Sequence, residues 1–380
     1  MNILWIPQIS SLGSDGKVYL SKDSNMSALY NILDSNFGKN NKIIVYFEFN
    51  LKANVIIDNV VFDKIEKLGG SIIYNENREY TNAKLERFNV DLSDYMRVKN
   101  NLDRIDVVFV NEPTKVEALR SIFAESKIVT YNHWLACKNM KDIELRQYEG
   151  MCNADICFVN SIYAKNQIKE YYKDMERKPN IKVSNPTFIE NVLDVKPVSL
   201  NDKPNIIYNH RLSNDEYYNN AFKTLKRIMK KFYTETGIKA TVYFTNPTNK
   251  NVDLYSSYFD SKEINLISKK DYFDFLSSNN VNIHLNTFFD SEGMWCQSTV
   301  DAAIKGNICL LPYKFGYAEM FDNNYYGYCN DENEMVEKLK NLFTNSTSIC
   351  YNYNDLENKS SKIIGNELND ILEDLVYGNC

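Results

Sequence analysis

Arg211 closes the tripeptide Asn209-His210-Arg211, which joins an apolar run at 205–208 to a long helical pattern. A guanidinium at a strand-to-helix junction can clamp a doubly charged anion with two parallel hydrogen bonds, and the helix start adds its positive end. The position also suits an ordinary surface arginine on a helix approach. A second junction lies within 281–321, where an apolar strand runs into a turn rich in acids and amides, 286–292. Glu292 precedes Gly293 and Met294 at a helix start, and Asp301 sits further along that helix. A carboxylate there can hold a hydroxyl, free backbone N–H groups at Gly293 and Met294 can hold an anion, and Asp301 can take a diol. A capping acid followed by an acid on an amphipathic helix has the same sequence. Asp290 and Glu292 form an Asp-x-Glu that could hold a divalent cation. No Asp-x-Asp occurs in the chain, and no metal is expected.

The chain has three histidines. His133 and His210 follow apolar runs directly, in Asn132-His133-Trp134 and Asn209-His210-Arg211, which puts both at strand tips. His284 lies within a strand and reads as a structural ring. Asn111 and Glu112 end another apolar run, 105–110, just ahead of Pro113. Gly13 lies between the first strand and the first helix, the arrangement with which many anion and sugar sites begin. An ordinary connector reads the same.

Positioning these groups takes alternating strands and helices. Apolar runs at 2–6, 43–49, 71–74, 105–110, 127–131 and 155–159 read as buried strands. Helical patterns fall at 26–33, capped by Ser24 or Asn25, and at 61–68, 114–123, 142–151 and 162–172. The alternation predicts an α/β fold with a doubly wound, mostly parallel sheet. It fades from 182 to 204, where Pro186, Pro197 and Pro204 mark a boundary. It then restarts with strands at 205–208, 240–244, 264–267 and 308–311 and helices at 216–233, 272–276 and 331–343. A terminal helix is expected at 367–376. The expected domains are 1–190 and 200–360, with 361–380 packing back toward the first.

Composition bounds the function. At 380 residues the chain suits two domains. Its 44% hydrophobic and 25% charged residues are ordinary for a soluble globular protein. A net charge of -6 gives no support to a broad, non-specific nucleic-acid binder. No apolar run approaches the ~20 residues of a membrane helix, and MNILWIPQIS reads as a first strand and not a signal peptide. The eight cysteines are spread along the chain without zinc spacing, as expected of reduced thiols in a cytoplasmic protein.

With these residues in view, the chain resembles GT-B glycosyltransferases of the retaining, nucleotide-sugar type. Asn209-His210-Arg211 resembles the family's Gly-Arg or His-Arg strand end. Glu292-Gly293-Met294 with Asp301-Ala302-Ala303-Ile304-Lys305-Gly306 resembles its Glu-x7-Glu motif, with Asp in place of the second Glu and an interval one residue longer. The family's cation after the Arg is missing from 212–219, which leaves Lys223 as a candidate. Asn209-His210-Arg211 with Leu311-Pro312 and Tyr317-Ala318-Glu319 resembles glycosyltransferases that decorate queuosine in tRNA. Tyr131-Asn132-His133 through Ser161 resembles bacteriophage DNA α-glucosyltransferases.

The resemblance implies two Rossmann-like domains facing across a cleft, an acceptor side at 1–190 and a nucleotide-sugar side at 200–360. It implies a co-substrate that is a nucleotide sugar, UDP-linked, and no other cofactor. Arg211, with Asn209, His210, Lys223, Gly293 and Met294, would hold the donor diphosphate, Asp301 its ribose and Glu292 the transferred sugar. His133 would stand beside the sugar or acceptor, with Gly13, Asn111, Glu112 and Glu319 on the acceptor side. The expected acceptor is a hydroxymethylated pyrimidine in duplex phage DNA; a surface glycan, lipid or small molecule is the alternative, and a non-catalytic nucleotide-sugar-binding module the reading from another class. A membrane partner is not expected. Facing cations among Arg78, Lys84, Arg87, Arg97, Lys99 and Arg104 would favour DNA; a solvated charged face is the plainer reading of that run.

Overall fold

The computed structural model describes residues 1–9, 18–19, 23–50, 56–57, 60–78, 88–132, 141–184, 204–245, 252–264, 269–278, 281–290, 292–293, 295–344, 356 and 359–378. The chain divides into two compact units, Met1–Thr187 with Lys359–Cys380, and Phe188–Asn358.

The first unit is built on strands β1 (Asn2–Ile6), β3 (Lys42–Phe47), β5 (Ser71–Tyr74), β6 (Val107–Val110), β7 (Lys127–Asn132), β8 (Ile156–Val159) and β9 (Ile181–Val183). They form one parallel sheet in the order β5-β3-β1-β6-β7-β8-β9. Two short strands, β2 (Val18–Tyr19) and β4 (Ile56–Ile57), pair apart from it. Alternate residues of each inner strand enter opposite cores. Ile3, Trp5, Val107 and Phe109 pack on one face, and Leu4, Ile6, Val108 and Val110 on the other. A strand covered on both faces must be apolar throughout, which is why these runs do not alternate in sequence. Trp5 stacks on Phe109 with ring centroids 4.0 Å apart.

Helices α1 (Ser24–Ile32), α2 (Asn36–Asn40), α3 (Val60–Lys67), α4 (Leu92–Asn100), α5 (Val116–Ile122), α6 (Lys141–Asn153) and α7 (Ile162–Tyr171) belong to this unit. The cap of α1 is Asp23, whose carboxylate accepts from the N–H groups of Asn25 and Met26. The sequence placed that cap at Ser24 or Asn25; Asp23 prevails because an ionised oxygen accepts two orphan donors at once.

In the second unit, β10 (Asn205–Tyr208), β11 (Ala240–Phe244), β12 (Phe259–Glu263), β13 (Ile283–Leu285), β14 (Ile308–Pro312) and β15 (Tyr328–Cys329) form a parallel sheet ordered β12-β11-β10-β13-β14-β15. Its helices are α8 (Glu216–Thr236), α9 (Lys269–Ser277), α10 (Gln297–Ile304) and α11 (Glu332–Thr344). Both faces are again buried: Ile206, Tyr208 and Leu310 on one, Ile207, Cys309 and Leu311 on the other. The strand observed here, β12, ends at Glu263, just ahead of the strand expected at 264–267; Ile264 is not in a strand, and residues 265–268 lie outside the described part. Helix α8 stops at Gly237, whose φ of 70° is the left-handed conformation glycine adopts without strain.

The terminal helix α12 (Ser361–Tyr377) belongs to the first unit, where Leu368 and Leu372 enter its core and Asn369 accepts from Asn41 Nδ2 at 2.8 Å. Among the described residues no helix is long and apolar enough to cross a membrane.

Candidate functional site

Each sheet has one place where the strand order reverses. In the first unit it lies between β1 and β6, and in the second between β10 and β13. Ligands of open α/β sheets bind outside the carboxyl ends of the strands at such a point. The chain places Asn209-His210-Arg211 directly after β10, and the turn leading to Glu292 and Gly293 after β13. These two sets belong to one locus.

Arg211 is exposed, its guanidinium lies 5.7 Å from the centroid of the Tyr218 ring, and no carboxylate among the described residues pairs with it. Lys223 is exposed on α8, one turn ahead of Arg227. Arg227 bonds Glu332 at 3.1 Å and approaches Asp290 to 4.0 Å. Gly293 is buried, and its carbonyl accepts from Gly316 N–H at 2.9 Å. That bond brings the 3-10 helix Phe315–Glu319, and with it the half-buried Glu319, to the Glu292 turn. Glu292 itself is exposed. The start of α10 has no side-chain cap: Cys296 holds the capping position without a capping bond.

Asn209 and His210 are buried, and their polar atoms hold the site together. Asn209 Nδ2 donates to Tyr272 Oη at 2.6 Å and to the Ser298 carbonyl at 2.9 Å. Tyr272 also contacts Asp301, which accepts from Gln297 Nε2 at 3.0 Å. Asp301 therefore sits in a network that runs back to the tip of β10. Burial, reinforced by Asp301, pushes the Tyr272 phenol well above its ordinary range. His210 Nε2 meets the Leu285 carbonyl at 3.1 Å, and Nδ1 meets Ser298 Oγ at 3.0 Å. The ring thus clips β10, β13 and α10 together.

Cys296 Sγ lies 3.7 Å from His210 Nδ1 and 3.2 Å from Ser298 Oγ. Burial alone would push this thiol up; the His210 charge and hydrogen bonds from His210, Ser298 and Thr299 outweigh burial and bring it down to about 7. His284 is fully buried, meets Thr299 Oγ1 at 2.9 Å, and its ring centroid is 5.1 Å from that of His210. Burial, then the His210 charge, hold the His284 pKa well below its ordinary value.

The unfolded chain binds a proton at His284 below about pH 6.5 while the native ring stays neutral, so stability falls as pH drops from there toward the depressed native pKa. The expected slope is about 1.4 kcal/mol per pH unit. Melting temperatures between pH 7.5 and 5 should show it, and His284→Gln should flatten it; an equal slope in both proteins would exclude His284 as its source.

In the first unit, Asn111 and Glu112 follow β6 at the switch point. Glu112 is buried and caps the next turn through Thr114 N–H at 3.1 Å, while Gln147 Nε2 donates to it at 3.2 Å and Gln8 Nε2 at 3.3 Å. Burial raises its pKa. Asn111 Nδ2 donates to the Tyr131 carbonyl at 3.1 Å. Gly13, His133 and Met294 lie outside the described residues. Of the cations that would favour DNA, Arg97 pairs with Asp94 at 2.7 Å, Arg104 with Asp106 at 3.3 Å, and Lys99 donates to the Ile122 carbonyl. Lys84 and Arg87 lie outside the described residues. No group of three or more His, Cys, Asp or Glu among the described residues is arranged to hold a metal.

Sequence reasoning did not single out Tyr217, Tyr218, Tyr272, Ser298, the Tyr217–Tyr317 contact or the Cys296–His210 contact. The available signal was weak: two adjacent tyrosines in the first turn of α8, shortly after Arg211.

No protein-family model matches the chain, and no curated protein matches it in sequence. Solved structures do match. Sucrose-phosphate synthase from Thermosynechococcus elongatus is 11% identical with a TM-score of 0.69, over 100% of this chain and 100% of that one. HepE of Anabaena in complex with UDP and glucose is 12% identical with a TM-score of 0.60, over 99% and 95%. UDP-GlcNAc 2-epimerase from Methanocaldococcus jannaschii is 14% identical with a TM-score of 0.53, over 98% and 99%. The fold is thus the GT-B type, two Rossmann-like α/β units with parallel sheets.

Proposed function

We propose that this protein transfers a sugar from a nucleoside diphosphate to a hydroxyl. One observation carries the reading. At the β10/β13 switch point the fold brings together a guanidinium with no carboxylate partner among the described residues, a glycine turn and a helix start without a side-chain cap. All three favour an anion with two or more oxygens. Support also comes from HepE, which shares the fold and binds UDP and glucose.

In the reaction the anomeric C–O bond to the diphosphate breaks, the acceptor oxygen bonds that carbon, and the acceptor proton passes to the departing diphosphate. Positive charge develops on the sugar and negative charge on the diphosphate. Arg211, with Lys223 on the neighbouring helix, meets the negative charge; protein cations and backbone N–H groups suffice for this stabilisation. Glu292 holds hydroxyls of the transferred sugar, and Asp301, at the inner edge of the site, faces the ribose. Retention of anomeric configuration follows from the resemblance of the Glu292–Asp301 segment to the retaining enzymes.

The acceptor is where the readings divide. A hydroxymethylated base in DNA needs a surface that neutralises phosphates, and among the described cations Arg97 and Arg104 are paired with acids. That favours a small or glycan acceptor. The likeness to an epimerase makes conversion of the nucleotide sugar itself a second reading.

A thermal-shift panel of UDP-glucose, UDP-galactose, UDP-N-acetylglucosamine and GDP-mannose tests the premise. A donor at 100 times its Kd stabilises the fold by about 2.7 kcal/mol. The donor that shifts the melt is then incubated with sugar phosphates, glycans and hydroxymethylated duplex DNA. Released nucleoside diphosphate with a glycosylated acceptor is expected. An intact diphosphate bond with an altered sugar would select the epimerase, and no shift with any donor would reject both readings.

A further inference from the structure

The two parts of this anion site are joined by packed tyrosines. Arg211 rests on Tyr218, whose ring packs edge-on against Tyr217 with centroids 5.0 Å apart. The Tyr217 hydroxyl meets the Tyr317 hydroxyl at 2.8 Å. Tyr317 is 1% exposed, and its hydroxyl occupies the space into which a Cβ on residue 293 would project. Only glycine leaves that room. From the other side, Gly316 N–H holds the Gly293 carbonyl at 2.9 Å. The turn is therefore wedged between a phenol and a backbone bond. Burial pushes both phenols above their ordinary range, so both hydroxyls stay protonated and neutral in ordinary buffers. A buried phenol ordinarily needs a partner, and here each supplies the other.

We infer that the Tyr217–Tyr317 hydroxyl pair is a positioning device that fixes the Gly293 turn relative to Arg211, and so sets the site for a ligand bridging both. The inference rests on the nucleotide-sugar reading. Neither tyrosine is assigned a contact with phosphate; the pair acts through Gly293 and, by way of Tyr218, Arg211. A nucleoside diphosphate engages both parts of the site at once, whereas a monophosphate engages one. Loss of either hydroxyl should therefore weaken the first far more than the second.

Calorimetric titration of UDP and UMP into the wild type, Tyr317→Phe and Tyr217→Phe tests this. Phenylalanine keeps the ring packing and removes the oxygen–oxygen contact; Tyr317→Phe also removes the hydroxyl that packs against Gly293, which Tyr217→Phe leaves in place. Each variant should bind UDP about fivefold to tenfold more weakly, the effect of one hydrogen bond, and UMP within about twofold of wild type. The double variant should match Tyr317→Phe, because the bond that Tyr217→Phe breaks is already lost there. Equal weakening of UDP and UMP would mark a general loosening of the fold and overturn the inference, as would unchanged UDP binding. If the wild type binds none of UDP, GDP, ADP and dTDP, the nucleotide-sugar reading fails and the inference with it; if the wild type binds and the variants match it, the inference alone fails.

Discussion

Arg211→Ala is expected to lower kcat/KM for sugar transfer by about 10²- to 10³-fold, a loss of about 2.7–4 kcal/mol of transition-state stabilisation. The size follows from where the charge develops. The diphosphate becomes more negative as the sugar leaves, so a fixed guanidinium interacts more strongly with the transition state than with the bound donor. The fold should tolerate the change. Arg211 is exposed, and its contact with the Tyr218 ring contributes only about 0.5–1 kcal/mol at such a site. The melting temperature should move by a few degrees at most, which separates lost chemistry from lost structure. Arg211→Lys should recover part of the rate, because the charge remains while the two-pronged geometry does not. Wild-type turnover in Arg211→Ala would remove this residue from the diphosphate site.

The legibility of this site in the sequence has a physical limit. The placement of Arg211 and Glu292 beyond strand ends could be read because apolar runs buried on both faces mark those ends plainly, and ligands of open α/β sheets bind there. Helix α4 escaped notice because only Asp94, Tyr95 and Val98 are buried, while Leu92 and Met96 face solvent and blur the amphipathic pattern. β12 reads Phe-Asp-Ser-Lys-Glu, an edge strand with one buried residue, so its apolar signal is too short to place. The supporting bonds were beyond reach for another reason. Asn209 meets Tyr272 at a separation of 63 residues, His210 meets Ser298 at 88, and Tyr217 meets Tyr317 at 100. No local pattern encodes such pairings; they exist only once the sheet order is fixed. The same folding makes Asn209 and His210 internal braces of the strand tip, a role their position beside Arg211 does not distinguish from ligand contact.

Lys115→Met is expected to destabilise the first unit by about 3–5 kcal/mol. Lys115 and Glu48 form an ion pair in which both residues are buried, 2% and 8% exposed, and Tyr95 Oη donates to the same carboxylate. The pair ties the end of β3 to the turn after β6 and to α4. Its attraction is offset by the desolvation of two charges, so the intact pair contributes modestly, whereas removing one partner leaves a buried carboxylate uncompensated. Methionine fills most of the lysine volume, which confines the effect to charge. Glu112 adds to it, because Lys115 is one of the groups opposing the upward push of burial on that carboxyl. In the variant Glu112 loses that opposition and is driven further toward its neutral form, and a carboxyl whose native pKa is raised gains stability as pH falls. Urea denaturation should therefore show the gap between variant and wild type narrowing from pH 7 to pH 5. The Glu48→Gln/Lys115→Met double variant should lie closer to wild type than Lys115→Met alone at pH 7, since no uncompensated charge remains at residue 48. A single variant as stable as the wild type at pH 7 would mean that water reaches this pair and that burial does not govern its energetics.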